Sequence, residues 1–181
     1  MTCFISGGAK NGKSTLAQNL AVALSRNGKR YYIATMIPSD EEDRDRIRRH
    51  IADREGLDFI TLECGKNILS CLDTADPEGT FLLDSATALL MNELFPSEKN
   101  FEMDTSAAKR CRDDLVTFVH SVGNAVVVSD YIYSDAIRYD RSTEVYRECL
   151  AEIDRSLAKS CDTVVEVCAG QCIVHKGELS L

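Results

Sequence analysis

Short apolar runs alternate with longer amphipathic or charged stretches along the chain. Seven short runs, rich in apolar and β-branched residues, predict strands at 2–6, 30–35, 58–63, 79–84, 125–129, 163–167 and 171–175. Five longer stretches predict helices at 14–27, 40–54, 85–95, 105–122 and 141–159. Because helices separate most of the strands, the pattern predicts βαβ units. It therefore predicts an α/β fold of three layers, with a mainly parallel central sheet between helices.

Two local features refine this architecture. The run at 125–129 is almost entirely β-branched, which is typical of a strand buried on both faces. Ala169 and Gly170 separate the last two runs and predict a hairpin turn. Ligands of parallel sheets bind at the carboxyl ends of the strands, so we expect the functional residues to follow the strands.

Composition narrows the class of protein. The length of 181 residues, without a linker or repeat, predicts a single domain over 1–181. The 29 acidic and 21 basic residues give a net charge of −8, which argues against nucleic acid and anionic membranes as partners. No apolar stretch approaches the roughly 18 residues of a membrane span, and the first residues lack a signal-peptide pattern. We therefore expect a cytoplasmic protein whose eight cysteines are reduced.

A glycine-rich segment follows the first predicted strand and opens the first predicted helix. It matches Gly-x-x-x-x-Gly-Lys-Ser and consists of Gly7, Gly8, Ala9, Lys10, Asn11, Gly12, Lys13 and Ser14. Glycines let consecutive backbone N–H groups point at phosphate oxygens, and the helix N-terminus adds its dipole. We expect Lys13 to reach the β- and γ-phosphates of a nucleoside triphosphate, and the Ser14 hydroxyl to bind Mg²⁺.

Asp84 ends the apolar run at 79–84. A carboxylate at this place can hold the Mg²⁺ ion or its water shell. The alternative is a helix N-cap, a role that Asp84 or Ser85 would suit. Because a phosphate loop calls for a nearby acid, the sequence favours the metal role.

The stretch at 40–54 is dominated by charged residues. Its composition alone is typical of a solvated helix with local ion pairs. However, Arg46, Arg49 and Arg54 lie within about one helical turn of His50, and such an arrangement suits an anionic phosphate. A neutral imidazole there can act as a nucleophile. Composition does not decide between a surface role and a catalytic role for His50.

Several motifs of the first half occur together, in order and at nearly constant spacing. They are the segment 5–14, then 32–35, 40–42, Arg46-Ile47-x-x-His50-x-x-x-Arg54, Thr61 with Glu63, 82–87 and 92–95. This set resembles the bifunctional adenosylcobinamide kinase / adenosylcobinamide-phosphate guanylyltransferase family of the cobalamin nucleotide-loop pathway. The combination is much more specific than a phosphate loop alone.

The resemblance implies a set of roles. It implies a RecA-like P-loop NTPase fold, a homotrimer, and the substrates ATP or GTP and the corrinoid adenosylcobinamide. His50 would be the covalent acceptor of a guanylyl group, Lys13 the other catalytic residue, and Ser14 and Asp84 the Mg²⁺ ligands. The nucleotide-binding residues would be the phosphate loop 7–14, Thr15, Thr35, Arg46, Arg54, Glu63 and Asp84.

The second half departs from the family pattern. Where the family has Glu-Val-Gly-x-Gly-Ile-Val-Pro, this chain has Tyr131-Ile132-Tyr133-Ser134-Asp135-Ala136-Ile137-Arg138. Two glycines that permit close backbone approach have become Tyr133 and Asp135, so we expect a different loop shape. One of the two activities could be lost. The alternatives are a P-loop kinase for another small metabolite and a GTP-binding regulatory protein with little turnover.

Aromatic residues concentrate in this divergent region. They are Tyr131, Tyr133, Tyr139 and Tyr146, and the family's later Asn-Gln pair is Asp154-Arg155 here. The tyrosines serve either as packing or as a changed wall of the substrate site.

Overall fold

A seven-stranded sheet forms the centre of the protein, in a computed structural model that describes residues 1–97 and 101–179. The strands are β1 (Thr2–Gly7), β2 (Arg30–Ala34), β3 (Phe59–Glu63), β4 (Thr80–Asp84), β5 (Asn124–Asp130), β6 (Thr163–Cys168) and β7 (Gln171–Lys176). They lie in the order β3-β2-β4-β5-β1-β6-β7. The first six pair in parallel and β7 pairs antiparallel to β6, which confirms the predicted mainly parallel α/β sheet.

Five α-helices within the described residues surround this sheet. They are α1 (Lys13–Ser25), α2 (Glu41–Ala52), α3 (Ala86–Leu94), α4 (Thr105–Ser121) and α5 (Arg141–Ser160). The predicted helices all form, with ends that differ by at most two residues. A 3₁₀ helix at Ile68–Asp73 was not predicted, because so short a segment carries no helical apolar period.

Apolar residues on both faces of the sheet explain why helices pack against each face. On one face, Phe4, Phe81 and Val127 pack into a core with α3, α4 and α5. On the other face, Ile5 and Val128 belong to a smaller core formed with α1. All five of these side chains are at most 3% exposed, and the alternation of faces follows from the period of two along each strand.

The last two strands are joined by the predicted tight turn. Ala169 and Gly170 both have positive φ, 51° and 76°, as a two-residue hairpin of this kind requires. No described helix is long and apolar enough to span a membrane.

Candidate active site

The phosphate loop connects β1 to α1 beside the carboxyl ends of the parallel strands. Gly7 lies so close to β6 that a Cβ atom there would sit 2.4 Å from the Val167 carbonyl oxygen. Gly12 precedes α1 with φ of 89°, a conformation that glycine adopts without strain. The sequence therefore uses glycine at these two places for distinct reasons, a close approach and a left-handed turn.

The side chain of Lys13 is buried at the centre of this loop, with 5% exposure. Its Nζ donates to the Gly8 carbonyl oxygen at 2.6 Å and forms an ion pair with Asp130 Oδ1 at 2.6 Å. Asp130 ends β5, directly opposite Gly7 in the register of β1 and β5. The sequence interpretation missed Asp130, although an acid after the apolar run at 125–129 is the same signal that identified Asp84.

A cavity of about 550 Å³, here called the phosphate cavity, opens above the loop. It brings the loop together with the charged helix α2 and with the ends of β4 and β5. Its lining includes 9–15, Asp40, Glu42, Asp43, Arg46, Arg49, His50, Asp53, Asp84, Val128 and Asp130. The predicted catalytic pair, Lys13 and His50, thus faces one cavity although 37 positions separate them in the chain.

A second cavity of about 530 Å³, here called the side cavity, lies next to the first. Four arginines line it: Arg44, Arg46, Arg48 and Arg54. Its largely apolar side chains are Tyr32, Ala34, Met36, Ile37, Pro38, Ile47 and Ala88. The predicted nucleotide contact Glu63 also lines it. Three residues, Arg46, His50 and Asp84, line both cavities. They form a shared wall between the two.

His50 stands on the last turn of α2. Its Nδ1 atom is buried and has no hydrogen-bond partner among the described residues. Its backbone carbonyl accepts a hydrogen bond from Arg54 Nη1 at 2.7 Å. The backbone at His50 is therefore fixed by Arg54, and the residue lines the shared wall with its buried Nδ1 unpaired among the described residues.

Arg54 anchors the end of α2 to the sheet. The guanidinium lies 3.7 Å from the centre of the Tyr32 ring, and Nη2 contacts Thr61 Oγ1 at 3.3 Å. Tyr32 in turn donates its hydroxyl hydrogen to Asp84 Oδ2 at 3.1 Å. Burial, followed by the negative charge of Asp84, raises the pKa of Tyr32, so this phenol stays protonated and keeps donating.

The structure separates the two roles that were open for Asp84 and Ser85. Ser85 is the N-cap of α3, and its Oγ accepts a hydrogen bond from Ala88 N at 3.2 Å. Asp84 therefore does not cap the helix and lies on the shared wall instead. Thr35 lines neither cavity, because its buried hydroxyl donates to Ser85 O and accepts from Ser85 N. In this arrangement Thr35 positions Ser85, and its predicted contact with the nucleotide would be indirect.

Ser14 and Asp84 offer the oxygen atoms that Mg²⁺ prefers, and both line the phosphate cavity. Within 1–97 and 101–179, no group of three or more His, Cys, Asp or Glu residues is arranged to hold a metal ion. A hydroxyl and a carboxylate fit a Mg²⁺ ion that arrives with a nucleotide, because the phosphates supply further ligands.

The divergent loop that follows β5 is organised by Arg147 of α5. This side chain, 8% exposed, forms ion pairs with Asp135 at 3.0 Å and Glu144 at 2.9 Å. It also donates to the Ile137 carbonyl oxygen at 3.0 Å and lies 4.9 Å from the centre of the Tyr139 ring. An arginine bound from several sides thus fixes the loop where the resemblance would place glycines.

The tyrosines of this region divide between packing and exposure. Tyr146 is buried, and its hydroxyl donates to the Thr87 carbonyl oxygen at 2.9 Å. Tyr133 donates to Asp154 Oδ2 at 2.7 Å, whereas Tyr139 is 44% exposed. Burial raises the pKa of Asp154 to about 6. Packing therefore accounts for Tyr146, whereas the exposed Tyr139 donates its hydroxyl hydrogen to Asp135 Oδ2 at 3.1 Å and lines neither cavity.

Comparisons with known proteins identify a family and a fold. The family model described as cobinamide kinase / cobinamide phosphate guanyltransferase matches residues 3–174. Among solved structures, an ATPase domain is 13% identical, with a TM-score of 0.51 over 91% of this chain and 68% of that chain. A structural-project protein of Pyrococcus horikoshii OT3 is 11% identical, with a TM-score of 0.53 over 97% and 86% of the two chains. At these identities the likeness concerns the fold alone, and it confirms the predicted P-loop fold. No curated protein sequence gives a significant match.

Proposed function

Since the chain belongs to the cobinamide kinase / cobinamide phosphate guanyltransferase family of cobalamin biosynthesis, we propose that it catalyses both steps, with His50 as the carrier of GMP. The observation that carries this proposal is the position of His50 on the shared wall, in one cavity with Lys13. A histidine with only a surface role would not be expected to line the same cavity as a phosphate loop. We further propose that residues 1–181 act as one P-loop transferase domain and assemble as a homotrimer.

In the kinase step, the γ-phosphoryl group of a nucleoside triphosphate passes to the hydroxyl of the aminopropanol arm of adenosylcobinamide. The loop N–H groups and Lys13 neutralise the charge that develops on the phosphate oxygens. Ser14 and Asp84 would hold Mg²⁺, which supplies further charge neutralisation when bound. Positioning and electrostatics carry such transfers, and the loop with its buried Lys13 offers both.

In the guanylyl step, an imidazole nitrogen of His50 attacks the α-phosphorus of GTP. A P–N bond forms, and the bond to the pyrophosphate leaving group breaks. A phosphate oxygen of adenosylcobinamide phosphate then attacks the same phosphorus, the P–N bond breaks, and His50 is regenerated. One difficult transfer is thereby split into two easier ones. Arg46 on this wall, together with Arg54 in the side cavity, suits phosphate groups that pass here.

The side cavity suits the nucleoside part of the guanylyl group. It begins at His50 and contains apolar surface for a base, together with Glu63, whose carboxylate can accept hydrogen bonds from ring N–H and amino groups. The positions of Arg54, Glu63 and Asp84 in the lining of this cavity support their predicted roles in nucleotide binding.

The decisive experiment incubates the chain with adenosylcobinamide, GTP and Mg²⁺ and measures the masses of the products and of the protein. We expect adenosylcobinamide phosphate, its GMP derivative, and a protein species that carries GMP. His50→Ala should abolish the protein adduct and leave the phosphorylation step intact. His120→Ala is the matched control, because His120 is an exposed histidine on α4. Absence of any adduct on the wild type contradicts the guanylyl half of the proposal.

A second candidate rests on the divergent loop. Because Arg147 fixes that loop in a shape that the family's glycines would not need, the acceptor alcohol could differ from cobinamide. A panel of small alcohols with ATP or GTP tests this candidate: phosphorylation of another metabolite, with cobinamide inert, would favour it. GTP binding without any product over hours would instead support a regulatory protein with little turnover.

A further inference from the structure

Asp130 is in direct contact with the lysine of the phosphate loop. Its register places it beside Gly7, and its Oδ1 atom is 2.6 Å from Lys13 Nζ. Asp84 lies one strand further away, on β4, because β5 separates β4 from β1. Asp130 retains 24% exposure and lines the phosphate cavity. No role in the proposed transfer has yet been given to it.

A carboxylate at this position works against phosphate binding. Its negative charge repels the triphosphate in the same cavity, and its ion pair with Lys13 competes with the phosphates for the ammonium group. Lys13 has three N–H donors, so it can hold Asp130 while a phosphate oxygen replaces the Gly8 carbonyl. Asp130 would then face the phosphoryl group across Lys13. The acceptor alcohol must approach that same phosphoryl group.

We propose that Asp130 is the general base of the kinase step, an inference that rests on the proposed function. The alcohol oxygen forms a bond to the γ-phosphorus, and the bond from that phosphorus to the β,γ-bridging oxygen breaks. The hydroxyl proton passes to an Asp130 carboxylate oxygen and from there to solvent after the product leaves. The hydroxyl hydrogen then lies between the Asp130 carboxylate and the phosphoryl group, which reduces the repulsion between their negative charges. Other kinases likewise position an alcohol with an aspartate.

The two half-reactions differ in their need for this base. Only the kinase step uses an alcohol, which has a proton to lose. In the guanylyl step the nucleophiles are the unprotonated nitrogen of His50 and an ionised phosphate oxygen, neither of which has a proton to lose when it attacks. Asp130 is therefore required for phosphorylation and dispensable for the transfer of GMP.

Asp130→Asn separates these steps. We expect kcat for cobinamide phosphorylation to fall about 10²- to 10⁴-fold, the usual contribution of a general base. GTP affinity should be unchanged or tighter, because Lys13 loses its competing carboxylate. Formation of the protein–GMP adduct should keep its wild-type rate, and so should GMP transfer when preformed adenosylcobinamide phosphate is supplied. Asp113→Asn, an exposed aspartate on α4, is the matched control and should leave every rate unchanged.

Three results would overturn the assignment. The first is kinase activity of Asp130→Asn within about tenfold of the wild type, given the size of a general-base effect. The second is loss of GTP binding and of the protein adduct together with the kinase activity, which would make Asp130 part of the loop or of the metal site. The third is a wild-type chain that phosphorylates no alcohol, which removes the proposed kinase function as well. Asp130→Ala, tested in the same three assays, replaces the asparagine variant if that variant does not fold.

Discussion

The helices α1 and α2 face the same cavity but are attached to the protein in opposite ways. In α1, Ala17, Leu20 and Ala21 are fully buried in the core beneath the sheet. In α2, no residue is buried, and exposed ion pairs join Glu41 to Arg44 and Arg48. One helix is held by apolar packing, and the other by its N-cap and by the arginine that follows it.

This difference separates two tasks of a transfer site. The phosphate loop must hold its N–H groups in a fixed geometry, and a packed helix provides that rigidity. The predicted GMP carrier His50 stands on a helix whose main fixed point is the contact of Arg54 with Tyr32. The comparison teaches that the residue expected to react with two partners in turn sits on the less firmly packed element.

The largest expected effect tests the packing of α1 directly. Leu20→Ala should lower the free energy of unfolding by about 2–5 kcal/mol, because it opens a cavity in a core where Leu20 is fully buried. Ile51→Ala on α2 should change it by less than about 0.5 kcal/mol, because that side chain is 54% exposed. Urea unfolding of both variants measures the contrast. Similar losses for the two variants would remove the distinction between the helices.

The buried carboxyl group of Asp154 on α5 tests whether burying a side chain always stabilises the folded state. Burial raises the pKa of Asp154 to about 6, above its ordinary value of 3.8. The folded state therefore binds more protons than the unfolded chain between those two values, and stability should fall as the pH rises from about 4 to about 6. The loss amounts to about 3 kcal/mol at most, for a difference of about two pKa units.

Asp154→Asn tests this linkage, because asparagine cannot titrate. Urea unfolding of the wild type and the variant at pH 4, 5, 6 and 7 should give curves that diverge over this interval, with the wild type losing stability relative to the variant. Parallel curves would show that Asp154 has the same pKa in both states.

A smaller effect is expected at the fixed point of α2. Arg54→Lys keeps the charge but loses the planar contact with Tyr32 and one of the bonds to His50 O and Thr61. Stability should fall by about 1–2 kcal/mol, measured by thermal unfolding. If His50 carries GMP, the rate of adduct formation should fall about 10- to 100-fold, because a small displacement of a reacting group is costly. An unchanged adduct rate would mean that Arg54 does not position His50.

The smallest effect is expected on the exposed face of α2. Arg48 forms ion pairs with Glu41 and Asp45, and all three side chains are well exposed to water. Such pairs are screened by solvent and salt, so Arg48→Ala should leave the thermal midpoint unchanged at both low and high salt. A salt-dependent loss of stability in this variant would show that the surface charges hold α2 in place.

The sequence predicted the fold well, because its signals are local. Among the described residues, apolar runs, glycines and the charged stretch identified the seven strands and the five α-helices to within two residues, but not the 3₁₀ helix at Ile68–Asp73. The order of the strands in the sheet carries no such signal, since it depends on long-range packing. Asp130 follows an apolar run just as Asp84 does, but its contact with Lys13 depends on the adjacency of β5 and β1, which the sequence does not indicate.

The candidate site was predicted unevenly. Residues 9–14 of the phosphate loop, Asp84, Glu63 and His50 line one or both cavities, whereas Gly7 and Gly8 line neither. Thr35, by contrast, uses its hydroxyl to hold Ser85. The N-cap role that the sequence left open for Asp84 or Ser85 belongs to Ser85. Hydrogen-bond partners that lie 50 positions apart are a property of the folded chain, and no pattern along the sequence indicates them.

The wall formed by Arg46, His50 and Asp84 has a consequence for equilibrium binding. Any ligand that alters the charge or position of these residues from one side alters them for the other side as well. Occupancy of the two compartments is then thermodynamically linked, and the linkage is reciprocal: the factor by which the first ligand changes the dissociation constant of the second equals the factor in the reverse direction. A single pair of titrations, with either ligand added first, measures that one coupling free energy twice.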